Sequence, residues 1–147
     1  MRIDGILSQK RTLSFEVFPP KKGAEEQDKL LAVIDGLKEF SPDFISVTYG
    51  AGGSNSKNTV EIADYIQNTA RITALAHITG GPSTPADVDG VARALRGRGV
   101  ENGLCLRGAR PVGDGAAAWR NLPTAGYLCA YLTCTPIVPL LPCEPSE

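Results

Sequence analysis

Strand-like stretches recur along this chain at an even spacing of about 30 residues. They begin near Thr12, Asp43, Arg71 and Glu101. One strand followed by one crossover helix needs about this length, ~30 residues. The spacing therefore predicts four consecutive βα units, and such a run implies a parallel sheet with right-handed crossovers.

The segments between these stretches carry apolar residues at helical spacing, which predicts helices over residues 24–40, 58–69 and 85–98. The third helix also has a recognisable start. Thr84 is suited to cap its first turn, and Pro85 occupies the first helical position, where proline is favoured.

Two architectures accommodate such units: an open, doubly wound sheet, or the first half of a (β/α)8 barrel. A complete barrel needs about 250 residues, so the length of 147 residues favours the open sheet. The residues at the strand ends, described below, favour the barrel. We therefore predict an α/β fold of the (β/α)8 TIM-barrel type, of which about the first four βα units are present.

The sequence after residue 114 departs from the βα pattern. Pro136, Pro139, Pro142 and Pro145 recur every third residue. Because proline removes a backbone donor and clashes with the preceding turn, residues 133–147 cannot form a regular helix. We predict two parts: residues 1–114, the amino-terminal half of a βα barrel, and residues 115–147, an irregular tail rich in proline and cysteine. This tail is either an extended arm or a non-native end of the chain.

Composition excludes several classes of function. A net charge of −1 gives no indication of nucleic-acid binding, and no apolar run is long enough to cross a membrane. The spacing of the cysteines matches no common zinc pattern, so no metal site is predicted. Four cysteines without a signal peptide indicate reduced thiols and a cytoplasmic protein.

Chemistry in parallel βα folds collects at the carboxyl ends of the strands. The first predicted strand, in SFEVFPP, carries Glu16 among apolar residues and is closed by two prolines. Glu16 is either a partly exposed carboxylate at a sheet edge or an acid set in an apolar mouth, where it would be suited to proton transfer.

The second predicted strand ends in SVTYGAGGSNS, with Thr48 and Tyr49 as its last residues before a glycine-rich loop. Glycine permits close approach of the backbone to a ligand. The loop matches neither the dinucleotide fingerprint nor the phosphate-binding P-loop. On its own it is a glycine-rich turn without an assigned ligand.

The remaining strand ends supply a histidine and an arginine. His77, in ALAHITGG, is the only histidine of the chain; it is either a structural residue or a ligand contact. Arg107 and Gly108 follow the fourth strand. The guanidinium of Arg107 would either cap the strand end or pair with a phosphate or carboxylate.

Together, SFEVFPPK, FISVTYGAGGS, AHITG and LRG, in this order and at this spacing, resemble the methylenetetrahydrofolate reductase family. The resemblance covers roughly residues 12–113. It implies a (β/α)8 barrel that binds FAD at its carboxyl-terminal mouth. It also implies reduction of 5,10-methylenetetrahydrofolate to 5-methyltetrahydrofolate, with NADH or NADPH as hydride donor, in one-carbon and methionine metabolism.

The resemblance also implies roles for individual residues. Glu16 matches the general acid that protonates the folate, so that its imidazolidine ring can open. Thr48 matches a residue near the nicotinamide. The positions that match flavin contacts are Tyr49, Ala51, His77, Arg107, Gly108 and Ala130.

The sequence departs from the family pattern in two places. Ala109 stands where the family has the aspartate of Leu-Arg-Gly-Asp, and Cys129 stands where it has a flavin-contacting tyrosine. An alternative function therefore remains: a shortened, non-catalytic relative with at most a partial flavin or folate pocket. A half barrel would leave its first and fourth strands as unpaired edges, so we expect such a chain to associate as a homo-oligomer or to fold marginally.

Overall fold

The computed structural model describes residues 1–20, 24–49, 56–80, 83–108 and 124–134. Five helices and four strands lie in these ranges. In chain order they are α1 (Ile3–Leu7), β1 (Ser14–Val17), α2 (Ala24–Leu37), β2 (Phe44–Val47), α3 (Ser56–Asp64), β3 (Thr73–Thr79), α4 (Pro85–Gly97), β4 (Asn102–Leu106) and α5 (Ala125–Cys134). A 3-10 turn, Lys38–Phe40, extends α2, and a π-helical turn, Tyr65–Thr69, extends α3.

The four strands form one parallel sheet in the order β1-β2-β3-β4, which is also their order along the chain. A doubly wound sheet reverses its strand order at a switch point, and no reversal occurs among the described strands. The predicted (β/α)8-type fold is therefore confirmed, and the open, doubly wound alternative does not describe this sheet.

The hydrophobic core lies on one face of the sheet. Its strand residues occupy alternate positions, which point to the same side, and they pack together with the buried faces of α2, α3, α4 and α5. These strand residues are Val17, Ile45, Val47, Ala74, Ala76 and Ile78, with Phe15 and Cys105 packed at the border. All four of these helices therefore cover the same face, as the outer helices of a barrel do.

The opposite face corresponds to the interior of a barrel and carries polar side chains. Glu16, Ser46, Leu75 and Asn102 form one row across it, because each is paired in register with the next. We call this surface the interior face.

Helix α1 closes the amino-terminal end of the interior face. The Ile3 N–H donates a hydrogen bond to Asn102 Oδ1 at 2.9 Å, and Asn102 Nδ2 donates to the carbonyls of Met1 and Ala74. Helix α1 was not predicted from the sequence, because five residues are too short to show a helical period. Helix α1 is therefore anchored to the interior face at the start of β4.

The predicted helices over residues 24–40, 58–69 and 85–98 are confirmed within two residues at each end. The strands are shorter than predicted, and Thr48 and Tyr49 follow β2 instead of ending it. Helix α4 begins with a reciprocal capping box. Thr84 Oγ1 accepts from the Asp87 N–H at 3.2 Å, and Asp87 Oδ2 accepts from the Thr84 N–H at 2.9 Å.

Part of the predicted irregular tail is helical, which corrects that expectation. Helix α5 (Ala125–Cys134) contains no proline, and its residues Leu128, Cys129 and Leu132 are buried in the core. Burial of these apolar side chains favours a helix over these residues. The prolines that would interrupt a helix stand only after α5 has ended. Residues 115–123 and 135–147 lie outside the described residues, so the division at residue 114 stays a prediction.

No helix in the described part of the chain is both long and apolar enough to cross a membrane. The longest, α2, has 14 residues.

The capping box of α4 generates a test of stability. We expect Thr84→Ala to lower the free energy of unfolding by about 1 kcal/mol, because the first helical turn loses a hydrogen-bond acceptor. Thr84→Ser, which keeps the hydroxyl, should stay close to the unaltered chain. Urea unfolding followed by circular dichroism measures both. Equal unfolding midpoints for Thr84→Ala and Thr84→Ser would contradict the assigned cap.

Candidate active site

Glu16 lies on β1 and projects from the interior face. Its side chain is about half exposed, at 47%. Ser46, its register partner on β2, donates a hydrogen bond from Oγ to Glu16 Oε2 at 3.3 Å. The carboxylate is therefore held to the neighbouring strand through one oxygen, while the side chain stays accessible on the open side.

His77 lies on the same face of β3, two residues beyond Leu75 and therefore closer to the carboxyl end of the sheet. Its side chain is only 8% exposed, and its Nε2 atom lies 3.4 Å from Glu16 Oε2. This nitrogen is buried and has no hydrogen-bond partner among the described residues. The contact between His77 and Glu16 is therefore not a hydrogen bond, and the nitrogen retains the capacity to bond a ligand.

Burial of the imidazole lowers the pKa of His77 below its ordinary value of 6.5, and the negative charge of Glu16 partly offsets that effect. Desolvation disfavours the charged form, so His77 is neutral near pH 7. A neutral imidazole can either donate or accept a hydrogen bond at Nε2, depending on its tautomer.

Thr48 and Tyr49 follow β2 at the same end of the sheet. The Thr48 N–H donates to the Val17 carbonyl at 3.1 Å, and the Thr48 carbonyl accepts from Thr59 Oγ1 of α3 at 3.1 Å. Tyr49 is buried, with 7% of its surface exposed. Thr48 is therefore tied both to β1 and to α3, at the border of the site.

Arg107 and Gly108 follow β4, and both are exposed. Gly108 has φ +78°, a conformation that glycine adopts without strain and that lets a backbone approach a ligand closely. The Gly80 N–H donates to the Leu106 carbonyl at 3.0 Å, which joins the ends of β3 and β4. The carboxyl end of β4 therefore lies beside the carboxyl end of β3.

Of the remaining predicted positions, one lies outside the described residues and one lies on a helix. Ala51 lies outside the described residues, as does Ala109. Ala130 lies on α5 and is exposed, whereas Leu128, Cys129 and Leu132 of this helix are buried against the core. No described contact joins Ala130 to Glu16 or His77.

The structure therefore brings together Glu16 and His77, and it adds Ser46, which the sequence analysis did not single out. One signal was present in the sequence: Ser46 stands two residues before Thr48, so both lie on the same face of a strand. Its contact with Glu16 depends on the register between β1 and β2, which the sequence alone does not reveal.

A cavity of about 760 Å³ lies at the opposite, amino-terminal end of the sheet. Its lining includes Lys10, Asp43, Arg71 and Thr73, and none of the predicted site residues. We place the candidate active site toward the carboxyl end because Glu16 contacts both Ser46 and His77 there.

Comparisons with known proteins agree with the resemblance found in the sequence. The family model described as methylenetetrahydrofolate reductase matches residues 2–133. Methylenetetrahydrofolate reductase (NADH) 1 of Arabidopsis thaliana is 34% identical over 114 residues, which is 77% of this chain and 19% of that protein. The 5,10-methylenetetrahydrofolate reductase of Escherichia coli is 36% identical over 103 residues, which is 70% of this chain and 34% of that protein. The chain thus spans about a third or less of the length of these relatives.

A solved structure supports the fold. The chain is similar to 4-hydroxy-tetrahydrodipicolinate synthase from Methylacidiphilum fumariolicum, a TIM-barrel protein, with a TM-score of 0.55 and 18% identity. The match covers 90% of this chain and 43% of that one. At this identity the likeness concerns the fold alone.

The buried histidine generates a prediction about stability and pH. Its pKa in the folded chain is lower than 6.5, so the unfolded state binds more protons in the interval between the two values. We expect the free energy of unfolding to fall as the pH is lowered from about 6.5 toward the pKa of the folded state, and this loss to end below it.

Urea unfolding between pH 7 and pH 5 measures this loss. His77→Gln removes the only histidine of the chain. The loss of unfolding free energy between the folded-state and unfolded-state pKa of His77 should therefore disappear in this variant. The same pH dependence in His77→Gln as in the unaltered chain would contradict the assignment to His77.

Proposed function

The chain belongs to the methylenetetrahydrofolate reductase family, and on that premise we propose that it acts in the reduction of 5,10-methylenetetrahydrofolate to 5-methyltetrahydrofolate. NADH or NADPH is the proposed hydride donor, FAD the proposed cofactor and the cytoplasm the proposed location. Residues 1–114 are the proposed barrel half. The observation that supports this best is the placement of Glu16 on the interior face, in contact with Ser46 and His77.

The described residues fit a bound cofactor at the carboxyl end of the sheet. Two observations support this: the buried Nε2 of His77 lacks a hydrogen-bond partner among them, and Gly108 has a backbone that admits close approach. FAD, when bound, supplies hydride acceptance and donation. The residues proposed to contact it are Tyr49, Ala51, His77, Arg107, Gly108 and Ala130, with Thr48 proposed near the nicotinamide.

Glu16 is the proposed proton donor. Its Oε2 atom is engaged by Ser46 and His77, and its Oε1 atom has no hydrogen bond among the described residues. A protonated Glu16 would present its proton on the open side of the interior face and transfer it to a nitrogen of the folate, so that the imidazolidine ring opens. The half-exposed side chain would regain a proton from water after each turnover.

His77 has a proposed supporting role in the same site. Its imidazole is neutral near pH 7 because burial lowers its pKa. A neutral imidazole does not form an ion pair with the Glu16 carboxylate. It also offers one nitrogen for a hydrogen bond to a bound ligand.

A second candidate is a non-catalytic relative with a partial flavin or folate pocket. Two observations favour it. Among the described strands, β1 and β4 each have one neighbour, and Leu104, on the interior face, is 40% exposed. Edges and apolar surface of this kind favour association with another chain, so a homo-oligomer is part of this proposal.

The two candidates differ in a simple measurement. A reductase that holds FAD absorbs in the flavin band after purification and oxidises NADH or NADPH. A non-catalytic relative with a partial flavin pocket can bind FAD but does not oxidise NADH or NADPH. Oxidation of NADH or NADPH by the purified chain, measured with and without added FAD, therefore distinguishes the two.

The role of Glu16 is tested by separating the two halves of the reaction. In a preparation that is active, we expect Glu16→Gln to reduce the rate of folate reduction by about 10²–10⁴-fold, because general acid catalysis contributes that much. Oxidation of NADH with an artificial electron acceptor should persist, since it needs no proton from Glu16.

Glu25→Gln is the matched control, because Glu25 is an exposed carboxylate on α2, paired with Lys29. It should retain both activities. Unchanged folate reduction in Glu16→Gln, or loss of both activities with the cofactor still bound, would contradict the role of Glu16 as proton donor.

A further inference from the structure

We propose that Ser46 is a positioning residue for Glu16: its hydroxyl holds Oε2 of the carboxylate beside His77 and leaves Oε1 facing the open side of the interior face. The geometric part of this proposal stands on contacts within the chain. Its catalytic part rests on the proposed function of Glu16.

Ser46 occupies a position where a polar side chain needs a partner. It is 7% exposed, and its neighbours along β2, Ile45 and Val47, are fully buried on the other face. Buried hydroxyl groups are almost always hydrogen-bonded. The Ser46 hydroxyl has two acceptors within reach: Glu16 Oε2 at 3.3 Å and the Phe15 carbonyl at 3.5 Å.

The hydroxyl has a single proton, so it can donate fully to only one of these acceptors at a time. A hydrogen bond to a charged acceptor is shorter and stronger than one to a neutral carbonyl. When Glu16 is ionised, the Ser46 hydroxyl therefore favours Oε2. When Glu16 is protonated, the hydroxyl is free to turn to the Phe15 carbonyl. Its orientation thus follows the charge of the carboxylate.

His77 cannot hold the carboxylate by itself. Its Nε2 atom lies 3.4 Å from Glu16 Oε2 but makes no hydrogen bond to a described residue. Fixing a glutamate side chain that is about half exposed costs conformational entropy. The hydrogen bond from Ser46 is the directional interaction that opposes this cost, so without it the carboxylate should spend more time in solvent and less beside His77.

The single histidine of the chain makes this testable without an activity assay. The imidazole signal of His77 in an NMR titration reports the charge beside it. Among the described residues, Glu16 is the charged group that raises the pKa of His77. Leu104, the register partner of His77 on β4, is uncharged.

We expect Glu16→Gln to lower the pKa of His77, because the carboxylate that raises it is gone. Ser46→Ala should lower it in the same direction by a smaller amount, because the carboxylate remains but turns toward solvent. The double variant should titrate like Glu16→Gln alone, because Ser46 acts through Glu16. Ser46→Thr, which keeps the hydroxyl, should titrate like the unaltered chain.

Ser14→Ala is the matched control, since Ser14 lies on the same face of β1, two residues before Glu16. It should leave the titration of His77 unchanged. If Ser46→Ala does not fold, as judged from its amide spectrum, Ser46→Cys tests the same expectation with a side chain of similar size and a weaker donor.

Two results would overturn the proposal. One is an unchanged His77 titration in Ser46→Ala while Glu16→Gln shifts it. The other is an additive shift in the double variant, which would mean that Ser46 acts on His77 directly.

In an active preparation, Ser46→Ala should also lower kcat for folate reduction about tenfold, with KM for the folate nearly unchanged. Ser46→Thr should restore it. An unchanged kcat in Ser46→Ala, in an enzyme that Glu16→Gln disables, would overturn the catalytic part. If Glu16→Gln does not affect folate reduction, the proposed function of Glu16 fails, while the His77 titrations still decide whether Ser46 positions it.

Discussion

The parallel pairing of four strands in chain order is the constraint on which the rest of this structure depends. Because each right-handed crossover advances the sheet by one strand in the same direction, every crossover helix lies on the same face. That face packs into the hydrophobic core, so the other face does not have to pack against the helices. It can therefore carry Glu16, Ser46 and His77, which no well-packed apolar layer would accommodate without partners.

The contact between these three side chains follows from register and burial together. Glu16 and Ser46 are opposite each other on neighbouring strands, and His77 is offset by two residues on the next strand. The carboxylate remains half exposed, whereas the imidazole is nearly excluded from water. Burial keeps the imidazole neutral, whereas the carboxylate remains accessible to solvent. The two groups thus have different environments although they touch, which is a common arrangement where acid–base chemistry takes place.

Much of this could be predicted from sequence, because the signals were local and repeated. The regular spacing predicted the βα units, and the apolar stripes predicted α2, α3 and α4. Helix α1 was too short to show a period, and α5 was obscured by the prolines that follow it. The candidate site residues were identified singly, as strand ends and as matches to a family. Their contact was not predicted, because it depends on strand register, and Ser46 was missed for the same reason.

The central claim is that ligands bind at the carboxyl end of the interior face. The most direct measurement is the change in amide and imidazole NMR signals of the chain as FAD is added. The account predicts shifts at His77, Thr79 and Gly108, at the carboxyl ends of β3 and β4. Shifts confined to residues around Arg71 and Thr73, which line the cavity at the other end of the sheet, would contradict it, as would a spectrum that FAD leaves unchanged.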